Sequence, residues 1–315
     1  MNGKLENMAT KISRCVVAVS LMIMVFASVS HTADRGSLYT QVPSLVVQLV
    51  SYRQEENDQL CRVPVGTAFF IHTTKKLENL YLVTAGHVVD GVDDLYARVP
   101  FLMTQTGKRQ MVGLHLKQSD WIKHPNKGTE KILPIDIAMV GIEKLKGTLA
   151  SAFLLCEGDC PVGHYNQLTD DPEPPEDILV YGFPGDIGFQ LIEPRPLARK
   201  GVVALSAKKG EGPYISMKKN HEERFFNPKV FLMDIDMFPG NSGSPVLRFP
   251  LDSYVPYLGG LVTATNLSDR YAIAEPVSYI LELLEIAIAQ PSAQSTWFDF
   301  ENYAFPKPCT KPRNR

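Results

Sequence analysis

Three short segments carry side chains that together could cleave an acyl bond: VTAGHVV around His87, PIDIAMV around Asp136 and PGNSGSPV around Ser242. A serine hydroxyl is a weak nucleophile near neutral pH, so Ser242 needs a base within hydrogen-bond reach. An imidazole titrates in the range where it can take that proton and later hand it to a leaving amine, which gives the role to His87. Asp136 would accept the other ring N–H of His87, fix the tautomer and stabilise the imidazolium without itself being protonated. Gly240 lets the backbone turn tightly, so that its N–H and that of Ser242 can aim at the oxyanion of a tetrahedral intermediate. Taken singly, the segments have plainer readings: a strand end with a surface histidine, an ordinary strand, a turn-prone loop. Their joint occurrence, each at the end of an expected strand, carries the chemistry.

His, Asp and Ser in this chain order, with these flanks, resemble the trypsin-like (chymotrypsin-fold) serine proteases over most of residues 43–290. The bacterial single-chain branch is the most similar. GTAFFI, TAGHV, DIAMV, VYGFPGD, GNSGSP and YAIAEPV each resemble its landmarks, GNSGSP resembling the glutamyl endopeptidases and GNSG also the Deg-type proteases. The resemblance implies two six-stranded antiparallel β-barrels with the site in the cleft between them, an acyl-enzyme, and no metal or cofactor. It also implies that Thr263 supplies a hydroxyl to the catalytic aspartate and that Asp236, Thr263, Ala264 and Thr265 line the substrate pocket. Asp236 matches the acid that selects Arg or Lys in trypsin relatives, whereas Asp234 matches an aspartate common in bacterial relatives of any specificity. Both alternate with Met233, Ile235 and Met237, which places the two carboxylates on one strand face. Residues 260–265 lack the pocket histidine of glutamyl endopeptidases.

The chain departs from the animal trypsins at three positions. Asn241 stands where they have the aspartate that pairs with a newly cut N-terminal ammonium, Val88 where they have a cysteine, and Ser244 where a glycine is common. A neutral amide cannot form that ion pair, so folding without activation by cleavage is implied.

The elements that must hold these groups are short β-rich runs separated by turn residues: SLVVQLV, GTAFFI, LYLVTA, DIAMVGI, ILVYGF, GVVALS, KVFLMDIDM, SPVLRF, GGLVTAT and YAIAEP. Such spacing indicates an all-β sandwich or barrels. After Pro276, Val277, Ile280, Leu281, Leu284 and Ile288 recur at helical spacing, which predicts a helix over about 277–290 docked on the barrels. The expected organisation is a signal peptide at 1–30, an N-terminal β-barrel at 38–150, an inter-barrel connector at 151–176 that ends in the acidic, proline-rich TDDPEPPED, a C-terminal β-barrel with the terminal helix at 177–290, and a tail at 291–315. His72, His115, His124, His164 and His221 lack a comparable flank and read as surface or packed histidines. Asp90, Asp93 and Asp94, crowded after His87, read as solvated.

Residues 1–14 are basic and Cys15 to Ser30 form an uncharged, mostly apolar run ending in small side chains, the layout of a secretory leader cleaved near Ser30 or Ala33. Export to a secreted or periplasmic location implies an oxidising compartment. Of the cysteines that remain, Cys156 and Cys160 are the easiest pair to close, leaving Cys61 for Cys309; a zinc site is the competing reading. With 32 Lys and Arg against 34 Asp and Glu, there is no electrostatic case for nucleic acid. The expected partners are protein or peptide substrates, with no stable membrane association once the leader is gone. Two other functions stay open: a non-catalytic trypsin-like module that binds peptides, and a quality-control protease anchored by a retained leader.

Overall fold

A computed structural model describes residues 43, 45–54, 60–72, 80–99, 112–142, 171–185, 195–206, 215–219, 222–249, 256–266, 271–290, 296–299 and 309, all within one compact unit, Gln41–Arg315. The expected leader, Cys156 and Cys160, His164, His221 and most of the 151–176 connector lie outside the described residues.

The strands are β1 (Val46–Gln54), β2 (Leu60–His72), β3 (Leu80–Ala85), β4 (Asp94–Val99), β5 (Val112–Lys117), β6 (Ile122–Lys123), β7 (Ile137–Ile142), β8 (Asp177–Gly182), β9 (Leu197–Ser206), β10 (Ser216–Lys219), β11 (Glu222–Phe225), β12 (Phe231–Asp234), β13 (Pro245–Phe249), β14 (Tyr257–Asn266) and β15 (Tyr271–Pro276). Helix α1 (Val277–Ile288) follows, and β16 (Thr296–Asp299) ends the series. The second sheet is a closed six-stranded barrel in the order β12-β15-β14-β13-β8-β9, as expected. The first differs from a closed six-stranded barrel: it is an eight-stranded ladder, β16-β5-β4-β1-β2-β3-β7-β6. The reason is local. A 3-10 turn at Gln118–Asp120 bends the chain between β5, which pairs with β4, and β6, which pairs with β7. The chain thereby passes from β5, near one end of the ladder, to β6 at the other, with no ladder pairing between them among the described residues. The fold is chymotrypsin-like, all-β with a C-terminal helix.

Alternation of side chains explains how the second barrel is buried on both faces. On β8, Ile178 and Val180 fill the barrel, while Tyr181 and the adjacent Phe183 join the core of the first sheet. On β13 the same division separates Val246 from Leu247, and on β14 Val262 from Leu261. Every residue of β7 is buried, because α1 covers the face that the first sheet does not. The helix buries Val277, Tyr279, Ile280, Leu283, Leu284 and Ala287; Ile288, expected on that face, is 46% exposed. Ile288 is the last helical residue, and the helix stops before its apolar stripe completes another turn.

Both flanking segments are built into the fold where they are described. Part of the 291–315 tail is β16, which adds to the first sheet by pairing with β5 from Thr296↔His115 to Asp299↔Val112. The end of the acidic connector is built into the protein. Asp171 accepts bonds from the Ser278 N–H and hydroxyl at the first turn of α1, and Glu176, 9% exposed, pairs with the Arg248 guanidinium at 3.3 Å.

Cys61 on β2 is disulfide-bonded to Cys309, closing a separation of 248 residues, and the Cys309 N–H donates to Arg62 O. Cross-links closing long loops remove much of the unfolded chain's entropy. Replacing both cysteines by serine is expected to lower stability by about 2–5 kcal/mol, read as a fall in denaturation midpoint relative to the oxidised wild type.

Candidate active site

The register of β3 against β7 ends at Ala85↔Ile137. The next residues on each side, Gly86 and Asp136, are therefore neighbours, and Gly86 N–H donates to Asp136 O at 3.1 Å. A 3-10 turn over Gly86–Val88, anchored by buried Val88, then holds the His87 side chain outward, 39% exposed. Asp136 grips it at two points. Its Oδ1 accepts the His87 backbone N–H at 2.7 Å, and its Oδ2 lies 2.6 Å from Nδ1 of the ring. With Nδ1 committed to the carboxylate, Nε2 is the ring atom left to take a proton from outside.

Ser242 lies in the turn between β12 and β13. Gly240 and Gly243, with φ of +97° and +87°, give that turn its shape, and side chains rarely accept either angle. A Cβ on Gly243 would meet Thr67 O at 2.0 Å, Thr84 Oγ1 at 2.3 Å and Ala85 N at 3.1 Å. The turn that carries Ser242 thus sits directly on the strand end that presents His87. Thr67, fully buried on β2, secures it: its N–H donates to Ser242 O at 2.9 Å and its hydroxyl to Gly240 O at 2.8 Å. The same hydroxyl accepts Phe183 N–H, and Thr67 O accepts the Thr84 hydroxyl. The two turns adjoin, but no hydrogen bond joins the Ser242 hydroxyl to the His87 ring. Such bonds often tighten only when substrate is present.

The peptide planes beside Ser242 are also set. Gly185 N–H donates to Pro239 O and Ser244 N–H to Asn241 O. In a trans peptide the N–H points opposite to its C=O. The Gly240 and Ser242 N–H groups are accordingly turned away from Gly185 and Ser244, and neither meets an acceptor among the described residues.

Asn241 is 2% exposed, and its Nδ2 has no partner among the described residues. A carboxylate at this buried position would require a cation. The expected bond from Thr263 to the aspartate is not made: Thr263 Oγ1 donates to Ile273 O at 3.4 Å. Instead Glu275, which sequence reasoning did not single out, accepts the Asp136 backbone N–H on Oε1 at 3.2 Å. It is 1% exposed, and burial pushes its carboxyl up to about 8, the Asp136 N–H opposing and the Asp136 charge adding to the shift. The signal was an acid in YAIAEP at a position where its strand neighbours are buried.

Of the expected pocket residues, Ala264 and Thr265 are half-buried on β14 beyond Val262, which exchanges backbone bonds with Gly243 and Ser244. Asp234 and Asp236 are exposed while Met233, Ile235 and Met237 are buried. Phe238, 40% exposed, carries the Arg199 guanidinium over its ring at 4.4 Å. His115 stacks on Tyr96 and pairs with Asp94, His124 is buried against Tyr279, and Asp90 pairs with Lys123.

No family model and no curated protein matches this chain. Among solved structures it is similar to the apo MamO protease domain from Magnetospirillum magneticum, with 14% identity, covering 78% of this chain and 98% of that one, at a TM-score of 0.44. It is similar to an inactive serine-to-alanine form of Rv3671c from M. tuberculosis H37Rv, with 15% identity, 82% and 94% coverage and a TM-score of 0.43. A third is the HtrA-type protease AlgW with a decapeptide, with 16% identity, 80% and 67% coverage and a TM-score of 0.45.

Thr67→Val removes the hydroxyl that holds Gly240 O and Phe183 N–H while nearly preserving side-chain shape. Stability is expected to fall by about 1–3 kcal/mol, the cost of leaving such buried groups unpaired. If this turn is catalytic, turnover is expected to fall at least about tenfold, because the N–H groups beside Ser242 lose their fixed aim. Denaturation and kcat measured on the same preparation check both effects.

Proposed function

We propose that this protein is an exported serine endopeptidase that hydrolyses peptide bonds through an acyl-enzyme, with His87, Asp136 and Ser242 as the catalytic triad. The observation that carries this reading is the two-point grip of Asp136 on His87, set against a turn whose Gly240 and Ser242 N–H groups are left for an incoming oxyanion. In the first step Ser242 Oγ attacks the carbonyl carbon and His87 Nε2 takes its proton. Asp136 stabilises the imidazolium. The oxyanion receives the N–H groups of Gly240 and Ser242, and His87 passes its proton to the departing amine. Water then repeats the sequence on the ester.

Extended peptide substrate fits beside β14. Its register with β13 ends at Leu261, Thr263 forms a bulge, and Ala264 and Thr265 continue past the Ser242 turn paired only with β15 among the described residues. Asp236 is the candidate acid for selecting a basic residue. A cleaved leader at 1–30 and a secreted or periplasmic location complete the proposal. The unbonded Ser242 hydroxyl is the observation that favours the rival, a peptide-binding module with an idle triad.

A fluorophosphonate probe separates the two. The mature chain is expected to be labelled at Ser242 alone, and Ser242→Ala is expected to lose labelling and about 10⁴-fold or more of peptide hydrolysis with an unchanged fold. A folded, unlabelled wild type would favour the binding module.

Asn241 and the fixed Pro239–Gly240 peptide support activity without cleavage. A chain starting near Ala33 with a few foreign residues in front is expected to titrate the same number of active sites before and after limited proteolysis. A large rise on cutting would show that the added segment restrains it.

A further inference from the structure

Glu275 is a buried carboxyl at the site that the proposed mechanism does not use. Its Oε1 holds the Asp136 N–H, and its Oε2 is buried with no hydrogen-bond partner among the described residues. All the other polar groups of Asp136 are committed elsewhere: its carbonyl to Gly86, Oδ1 to the His87 N–H and Oδ2 to the ring. Glu275 therefore completes the fixing of Asp136.

We propose that Glu275 is a positioning residue held as a neutral carboxylic acid, which orients Asp136 through its backbone while leaving Asp136 the sole negative charge behind the imidazole. The proposal rests on the protease reading of the site. Burial outweighs the opposing Asp136 N–H bond, and the Asp136 carboxylate, just before β7, adds a like charge. Tyr279, from α1, is a phenol that donates to Asn227 and brings no charge to Glu275. On the partner strand β14 its register neighbour is Leu261, which carries no charge. An ionised Glu275 would be a buried, uncompensated carboxylate beside another, an arrangement that burial and repulsion both oppose.

The sign of the linkage follows. The folded chain holds a proton on Glu275 up to about pH 8, whereas the unfolded chain releases it near the ordinary value of 4.5. The stabilising contribution is complete below the unfolded value and is lost as pH rises through the folded one. Glu275→Gln keeps the acceptor and has no proton to lose. The ratio of the two chains' unfolding constants is therefore expected to change about tenfold per pH unit between about 4.5 and 8, wild type becoming relatively less stable, and to level off above.

The test uses wild type, Glu275→Gln and Glu275→Ala of the mature chain. Denaturation from pH 4 to 9.5 reads the charge of Glu275. kcat and KM at pH 7 and the low-field proton resonance of the Asp136-bound His87 ring read positioning. Glu275→Ala is expected to lower kcat about tenfold with little change in KM and to broaden the resonance. Glu275→Gln is expected to restore kcat to within about threefold and to sharpen the resonance. Parallel pH–stability curves for wild type and Glu275→Gln would overturn the neutral-acid claim, and that comparison stands even if Glu275→Ala does not fold. Wild-type kcat and resonance in a folded Glu275→Ala would overturn the positioning claim. If the wild type hydrolyses no peptide, the protease reading fails, while the stability and resonance measurements still decide what Glu275 does.

Discussion

The site depends on how one buried threonine joins two sheets. Thr67 belongs to β2, yet three of its four hydrogen bonds reach outside the strand pair it sits in: to Ser242 O, Gly240 O and Phe183 N–H. Buried hydrogen bonds between elements from opposite ends of a chain are strict about geometry, because a misplaced partner leaves a polar group with neither protein nor water. The fourth bond, from the Thr84 hydroxyl to Thr67 O, ties the same point to the strand that ends in the His87 turn. The His87 turn and the Ser242 turn are thus both tied to the same residue.

Electrostatic economy is the second theme. Around Asp136 the protein buries groups that avoid adding charge. Asn241 is an amide where an acid would need a cation, and Glu275 is a carboxyl that burial drives towards its neutral form. Each additional buried charge would carry a desolvation cost that only a well-placed partner offsets. A partly exposed carboxylate facing a partly exposed imidazole avoids that cost, since water reaches both.

Much of this architecture was legible in the sequence. The β-rich runs all fall in or against strands, because residues buried on both faces leave continuous apolar stretches that turn residues punctuate. The Cys61–Cys309 bridge was reached by elimination and is present. What escaped notice has physical causes. β4 and β5 carry polar or charged residues such as Arg98 and His115 within the strand, masking the alternation. Residues 296–299 form a strand of only four residues against β5, too short to leave a clear alternation in the sequence. Glu275 was passed over because one acid in an apolar run reads as a strand's exposed face, and its burial depends on a loop far away in sequence. Thr263 was given a partner by analogy that the backbone carbonyl of Ile273 takes instead.

The return of the chain to its starting sheet has a consequence for survival after damage. β16 and Cys309 bring the last residues back to β5 and β2, so the whole closed barrel lies between two segments of the first sheet. A single cut at any bond between Cys61 and Cys309 yields two fragments that remain covalently linked. A nick between the two cysteines, whatever makes it, need not separate the halves of the site. The wound would show on a reducing gel and stay hidden on a non-reducing one.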